Sequence, residues 1–160
     1  MIVGVRLDER LIHGQTLTNW IGLLGSTHVI VACDEVANDS LQVSALKMIV
    51  PSNLKTAIVT LEKAAQLLND ERSAKLKIFV LCRTPQDILK LCMHVPEIKA
   101  VNFAGYGLLM KTNTPNKKVI VPGYLLLDED DEKVMKQIQN RGIECYCQVV
   151  PSQPKKQLEF

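Results

Sequence analysis

The stretch Arg6-Leu7-Asp8-Glu9-Arg10-Leu11-Ile12-His13-Gly14-Gln15 (RLDERLIHGQ, residues 6–15) decides how the rest of the chain is read. It follows a short β-branched run, Ile2–Val5, and leads into a segment of helical character, Gly14–Leu24. That order makes it the first β-to-α connection of an α/β protein. In open α/β sheets such connections crowd the C-terminal edge of the strands, where ligands bind. His13 then stands at the head of a helix, where free N–H groups and the helix dipole favour an anion. Gly14 lets the backbone come close to whatever His13 holds. Arg6 and Arg10 add planar, permanently charged donors suited to phosphate oxygens. An imidazole is partly neutral near pH 7, so it can attack a phosphoryl group and later release it. Read blandly, the same charges form a solvated turn whose ion pairs are worth little, and His13 is a capping or surface residue. Residue types alone leave both readings open.

Outward from this stretch, β-branched runs alternate with amphipathic ones. Strands are predicted at Ile2–Val5, His28–Ala32, Thr56–Thr60, Leu76–Leu81, Ala100–Phe103, Lys118–Pro122 and Glu144–Val149. Helices are predicted at Gly14–Leu24, Asp39–Ile49, Leu61–Asp70, Pro85–Met93 and Asp128–Asn140. Leu61, Ala64, Ala65 and Leu68 share one helical face. Thr84 caps a helix that has Pro85 in its first turn, and Gly142 stops the last one. The expected fold is one α/β domain over residues 1–160, three-layered. A mainly parallel central sheet of about seven strands carries helices on both faces. Met110–Lys118 reads as a polar loop, and Pro151–Phe160 as a tail that lies over the surface or frays.

Composition narrows the function classes. The 160 residues hold 19 Lys plus Arg against 17 Asp plus Glu, a net charge of +2 that gives no ground for a nucleic-acid partner. Charges begin at Arg6, which is the wrong layout for a signal peptide, and no apolar run is long enough to span a bilayer. Five cysteines, an odd count, read as reduced thiols in a cytoplasm. Cys145 and Cys147 share a strand face, but Cys33, Cys82 and Cys92 supply no second pair for a zinc site, so no metal is expected. His28 and His94 read as structural, Arg83 as a residue at the end of the fourth strand aimed at the same crevice as His13, and Lys111, Lys117 and Lys118 as a solvated basic loop.

RLDERLIHGQ, with Trp20 downstream, closely resembles the signature of the IIB subunits of the mannose/fructose/sorbose family of bacterial sugar phosphotransferase systems. The resemblance continues through Cys33–Lys55, Leu81–Leu91, Pro96–Gly107 and Gly142–Ser152 and so covers nearly the whole chain. It implies that His13 accepts a phosphoryl group from a phosphorylated IIA partner and passes it to a sugar bound by the membrane components IIC and IID. It further implies that Arg6 and Arg10 clamp the group, that Asp8 orients an arginine or the imidazole, and that Gly14 and Gln15 offer backbone N–H groups. Arg83 and Tyr106 are further loop contributors, and Leu11, Ile12 and Tyr106 would line a docking face. Such a protein needs no cofactor or metal, works in the cytoplasm against the inner face of the membrane, and is compatible with a homodimer. The chain departs from the family where Asn102-Phe103-Ala104-Gly105-Tyr106 replaces Asn-x-Gly-Gly-Met, and where Thr16 replaces a usual valine on a helix flank.

Two rivals are weaker. An aspartate-phosphorylated receiver module shares the acidic pair Asp8-Glu9, but lacks an aspartate near Thr60-Leu61-Glu62 and a lysine near Ala104-Gly105. A nucleotide-binding module would need a G-x-G-x-x-G or G-x-x-x-x-G-K-[ST] stretch, and neither is present.

Overall fold

β1 runs from Ile2 to Leu7, further than its apolar run suggests, because Arg6 and Leu7 pair on both sides. The computed structural model describes residues 1–160 and places β1 near the centre of a seven-stranded sheet. The other members are β2 (His28–Ala32), β3 (Lys55–Val59), β4 (Ile78–Cys82), β5 (Ala100–Phe103), β8 (Glu144–Cys147) and β9 (Lys156–Gln157). Their order is β3-β2-β4-β1-β5-β8-β9, parallel except for the β8–β9 pair. The loops after β1, β4 and β5 therefore emerge side by side at one edge.

Alternation along the strands fills two cores. One face, including Val5, Leu7, Ile30, Ala32 and Val80, packs on α3 (Leu61–Asn69), α4 (Pro85–His94) and α5 (Glu129–Asn140). The other, including Val29, Val31, Phe79 and Leu81, packs on Trp20, Ile21 and Val36, the last from α1 (Asp34–Ala37), with Leu46 of α2 (Ser40–Met48) alongside. The one-sided face of α3 is buried through Leu61, Ala64, Ala65 and Leu68. Thr84 caps α4 by accepting the Asp87 N–H, and Gly142 takes a φ of 77° where α5 ends.

Sheet membership differs from the sequence expectation. The run at Lys118 joins a separate two-stranded ribbon, β6 (Lys118–Val121) with β7 (Leu125–Leu127). Its seat in the main sheet goes to β9, within the segment expected to lie over the surface or fray. Leu158 just beyond is buried in the larger core, and its N–H donates to the Cys145 carbonyl at 2.9 Å. Two apolar residues, Leu158 and Phe160, in a polar tail are too few to set a periodicity, so the strand has no pattern of its own. The helix expected at Gly14–Leu24 is a wide one over Thr16–Ile21, with the Gly22 N–H donating to the Leu17 carbonyl five residues back. Such wide turns gather at functional sites. No helix is long and apolar enough to cross a membrane. Docking of the tail predicts that Leu158→Ala lowers stability by about 2–3 kcal/mol, read from the denaturant midpoint at unchanged slope; a frayed tail would give no change.

Candidate functional site

The loop after β1 is built by a tight turn. Asp8 donates its N–H to the Cys82 carbonyl at 3.0 Å and so continues the sheet for one residue. Its carbonyl then accepts the Leu11 N–H at 2.9 Å, and its side chain accepts the Arg10 N–H at 3.1 Å. Leu11 takes a φ of 59°, a left-handed conformation that costs a non-glycine residue roughly 1–3 kcal/mol. Complete burial of Leu11, with Ile12 beside it, offsets that strain. The turn sends both apolar side chains down and leaves His13 at the rim. Thr16, fully buried, accepts the His13 N–H at 3.0 Å, so the residue that reads as a flank substitution anchors the histidine backbone.

Asp8 is the hub, and it is not a solvated turn residue: its side chain is 0% exposed. One oxygen, Oδ2, lies 2.8 Å from His13 Nε2, whose side chain is 17% exposed, and 3.6 Å from Arg6 Nε. The other, Oδ1, lies 3.4 Å from Arg10 Nε. Burial opposes the Asp8 charge, but the His13 hydrogen bond and the charges of His13, Arg6 and Arg10 outweigh it and hold the carboxyl below its usual range. An ionised carboxylate can only accept, so Nε2 carries the hydrogen of this bond, and in the neutral ring the lone pair is on Nδ1.

The two arginines are not equivalent. Arg10 is 48% exposed at the mouth of the site. Arg6, expected in the loop, lies on β1 and is buried beneath it. Its guanidinium donates to the carbonyls of Ala104 (3.0 Å) and Gln148 (3.2 Å) and sits 5.5 Å from the Trp20 ring centre. Burial lowers the Arg6 pKa against the opposing pull of Asp8. Arg83 donates from Nε to the Glu9 carbonyl at 3.2 Å and approaches Glu35 at 3.9 Å, which brings it beside the same loop. The N–H groups of Gly14 and Gln15 have no protein acceptor, and a methyl group added at Gly14 would meet nothing within 4 Å.

The loop after β5 closes the other side. Gly105 takes a φ of 139°, and a Cβ there would stand 3.0 Å from the Asp8 carboxyl, so glycine is required. Glu9 reads in the sequence only as part of a charged turn. It is buried and unpaired with any cation: its carboxylate accepts the N–H of Leu108 (3.0 Å), the N–H of Leu109 (3.2 Å) and the Thr112 hydroxyl. Its own N–H donates to the Gly105 carbonyl at 2.7 Å. A pocket of about 240 Å³ lies between Glu9, Arg10, Gln15, Leu108, Leu109 and Tyr124.

Three expectations are corrected. Leu11, Ile12 and Tyr106 are buried and line no docking face; the exposed apolar side chains near the site are Leu108, Leu109, Met110 and Tyr124. Tyr106 points inward, where Lys117 Nζ donates to its hydroxyl at 3.1 Å. Lys117 is no solvated lysine: it pairs with Asp131 at 2.6 Å, and burial, which works against its charge, is outweighed by hydrogen bonds to Asp131 and Tyr106. All five cysteines are free and buried, and burial pushes the thiols of Cys92 and Cys145 up to about 12, leaving them protonated and inert. No three His, Cys, Asp or Glu side chains converge as a metal-ligand set.

The fold and site define an α/β domain with an open, mainly parallel sheet and a carboxylate-held histidine at the head of its first helix. The comparisons make it specific: the family described as PTS system sorbose subfamily IIB component matches residues 2–159, and the chain belongs to that family of phosphotransferase components. The chain is 32% identical to a probable phosphotransferase enzyme IIB component of Streptococcus pyogenes serotype M6, over 99% of this chain and 97% of that protein. It is 30% identical to the PTS system mannose-specific EIIAB component of Escherichia coli K12, over 97% of this chain but only 46% of that longer protein. Its fold is similar to the crystal structure of the IIBSor domain of the sorbose permease from Klebsiella pneumoniae, at a TM-score of 0.86 and 27% identity, covering 98% of this chain and 93% of that one.

The lowered carboxyl predicts a pH signature. Asp8 contributes stability above the ordinary carboxylate pKa of about 3.9, and loses it as pH falls through its lower folded value. Asp8→Asn should therefore cost roughly 1–3 kcal/mol at pH 7. The gap between the two proteins should narrow below about pH 4. Urea titrations of both across that window check it; a gap independent of pH would mean that the Asp8 charge plays no part.

Proposed function

We propose that the chain carries a phosphoryl group on His13, taking it from a phosphorylated IIA protein or domain and passing it to a sugar bound by the membrane components IIC and IID. The observation that carries this reading is the Asp8–His13 hydrogen bond of 2.8 Å, which leaves one imidazole nitrogen protonated and the other free at the rim of the sheet. Nδ1 attacks the phosphorus as the bond to the donor's histidine breaks. The His13 ring then carries phosphate on Nδ1 and hydrogen on Nε2, a cationic imidazolium that the buried Asp8 charge stabilises. In the return step a sugar hydroxyl attacks the phosphorus and gives its proton to water or to a base beside the bound sugar, as the bond from Nδ1 to phosphorus breaks and His13 leaves as neutral imidazole with hydrogen on Nε2.

Arg10, half-exposed at the mouth, is suited to meet the equatorial oxygens of the transferring group, and the free N–H groups of Gly14 and Gln15 are suited to its charge. Arg6 acts from beneath, holding Asp8 rather than touching the phosphate. Arg83 adds positive charge at the side of the loop. The fusion named EIIAB among the relatives supports a IIA partner. The protein would then work in the cytoplasm, held to the inner face of the membrane through IIC and IID. The sugar is of the mannose, fructose, sorbose or N-acetylgalactosamine class, and its identity is set by the components that bind it.

Incubation with phosphoenolpyruvate, the two general phosphotransferase proteins and a mannose-family IIA should add one phosphoryl group, read by intact mass. The adduct should be labile in acid, stable in base and absent from His13→Ala. An adduct that persists in His13→Ala would overturn the assignment.

A further inference from the structure

Glu9 is a buried carboxylate that meets no lysine, arginine or histidine, and the reaction proposed above gives it no task. Burying an unpaired charge is costly unless every lone pair is met. Here the donors come from one place: the successive N–H groups of Leu108 and Leu109 and the hydroxyl of Thr112. Those residues form the loop that carries Leu108, Leu109 and Met110 at the surface, Met110 being 98% exposed. At its other end Glu9 is one residue from Asp8 and four from His13. Its N–H and carbonyl are held as well, by the Gly105 carbonyl and by Arg83. The side chain thus ties the surface loop to the histidine loop by bonds that leave little freedom between them.

We propose that Glu9 is a positioning residue, fixing the Leu108–Thr112 loop in register with His13 so that a phosphohistidine protein seated on that loop delivers its phosphoryl group to Nδ1. The proposal rests on His13 being the acceptor. Three features favour a phosphorylated protein as the occupant of the loop. The pocket between Leu108, Leu109 and Tyr124 is continuous with Arg10 and Gln15, at the mouth of the site. The apolar side chains there are few, which suits a partner that must leave after each transfer. Lys111, exposed within the loop, and Arg10 give the rim the positive sign that an incoming dianionic phosphoryl group requires.

A protein donor uses the loop, whereas a small chemical donor does not. Phosphoramidate and a phosphorylated IIA protein are therefore compared on wild type and on Glu9→Gln, which keeps the shape but turns one acceptor into a donor facing an N–H group. The expected result is a loss of roughly 10- to 100-fold in transfer from phospho-IIA, with phosphoramidate labelling of His13 unchanged. Most of the loss should lie in the half-saturating concentration of the donor protein. Thr112→Val, which removes one donor and no charge, should lose less in the same direction. The Leu108 and Leu109 amide resonances should move in Glu9→Gln. Equal losses with both donors would overturn the proposal, since Glu9 would then merely support the His13 site; so would no loss with either. If wild type takes no label on His13 from either donor, the acceptor reading itself fails.

Discussion

A carboxylate with no access to water must have its charge met by neighbours, and Asp8 imposes that condition on everything around it. One oxygen faces His13 and Arg6, the other the backbone and side chain of Arg10. Meeting those demands from a single turn places Leu11 in a left-handed conformation. It also excludes any side chain at Gly105, whose Cβ would press on the carboxyl. The wide helix that follows starts where the turn leaves it. The local backbone is thus shaped by one buried charge, and the apolar side chains on either side supply the burial that keeps it dry.

The parallel sheet explains why the site can draw on distant parts of the chain. β1 lies between β4 and β5, so the residues just beyond their ends meet above it. Arg83, after β4, and Gly105, after β5, reach the same loop from opposite sides. Beneath, Arg6, Asn102 and Trp20 all bond the chain at Gln148 and Val149, so the segment leaving β8 is fastened to the underside of the site. A second buried network, Lys117 with Asp131 and Tyr106, joins the start of α5 to the loop after β5. Rigid support on several sides suits the proposed phosphotransfer, because positioning rather than covalent assistance supplies most of the rate of such reactions.

Much of this was legible in the sequence, for physical reasons that differ from case to case. The helix with Leu61, Ala64, Ala65 and Leu68, the Thr84-Pro85 start and the Gly142 stop were readable because periodicity and capping are local. So was the placing of His13 after the first strand. Depth was not local. Arg6, Asp8, Glu9 and Lys117 read as exposed charges, since a charged residue is usually solvated, yet each is held in the interior: Arg6 and Glu9 by partners far along the chain, Asp8 by its own turn, and Lys117 by Asp131 and Tyr106. Glu9 finds its donors about a hundred residues away. The exchange of β6 for β9 in the main sheet has the same origin: a two-residue strand is stabilised by the neighbour it meets, not by its own composition.

In the transfer proposed above, the Asp8–His13 pair also bears on how a carrier could serve two partners. A group that must be taken up and given away cannot be held too firmly, because stabilising the phosphorylated state more than the transition states on either side would stop the second transfer. In that proposal Asp8 would stabilise the imidazolium that phosphorylation creates, which would favour uptake. Its charge is shared with Arg6 and Arg10, so the field that His13 feels is smaller than an isolated buried carboxylate would exert. Arg6 is buried under the sheet edge and against Trp20, its guanidinium bonded to the carbonyls of Ala104 and Gln148. Its contribution is then to moderate Asp8 as well as to hold it. In the transfer proposed above, a buried arginine behind the carboxylate would keep the phosphohistidine reactive, and the sequence places the two residues at and just beyond the end of β1, two positions apart.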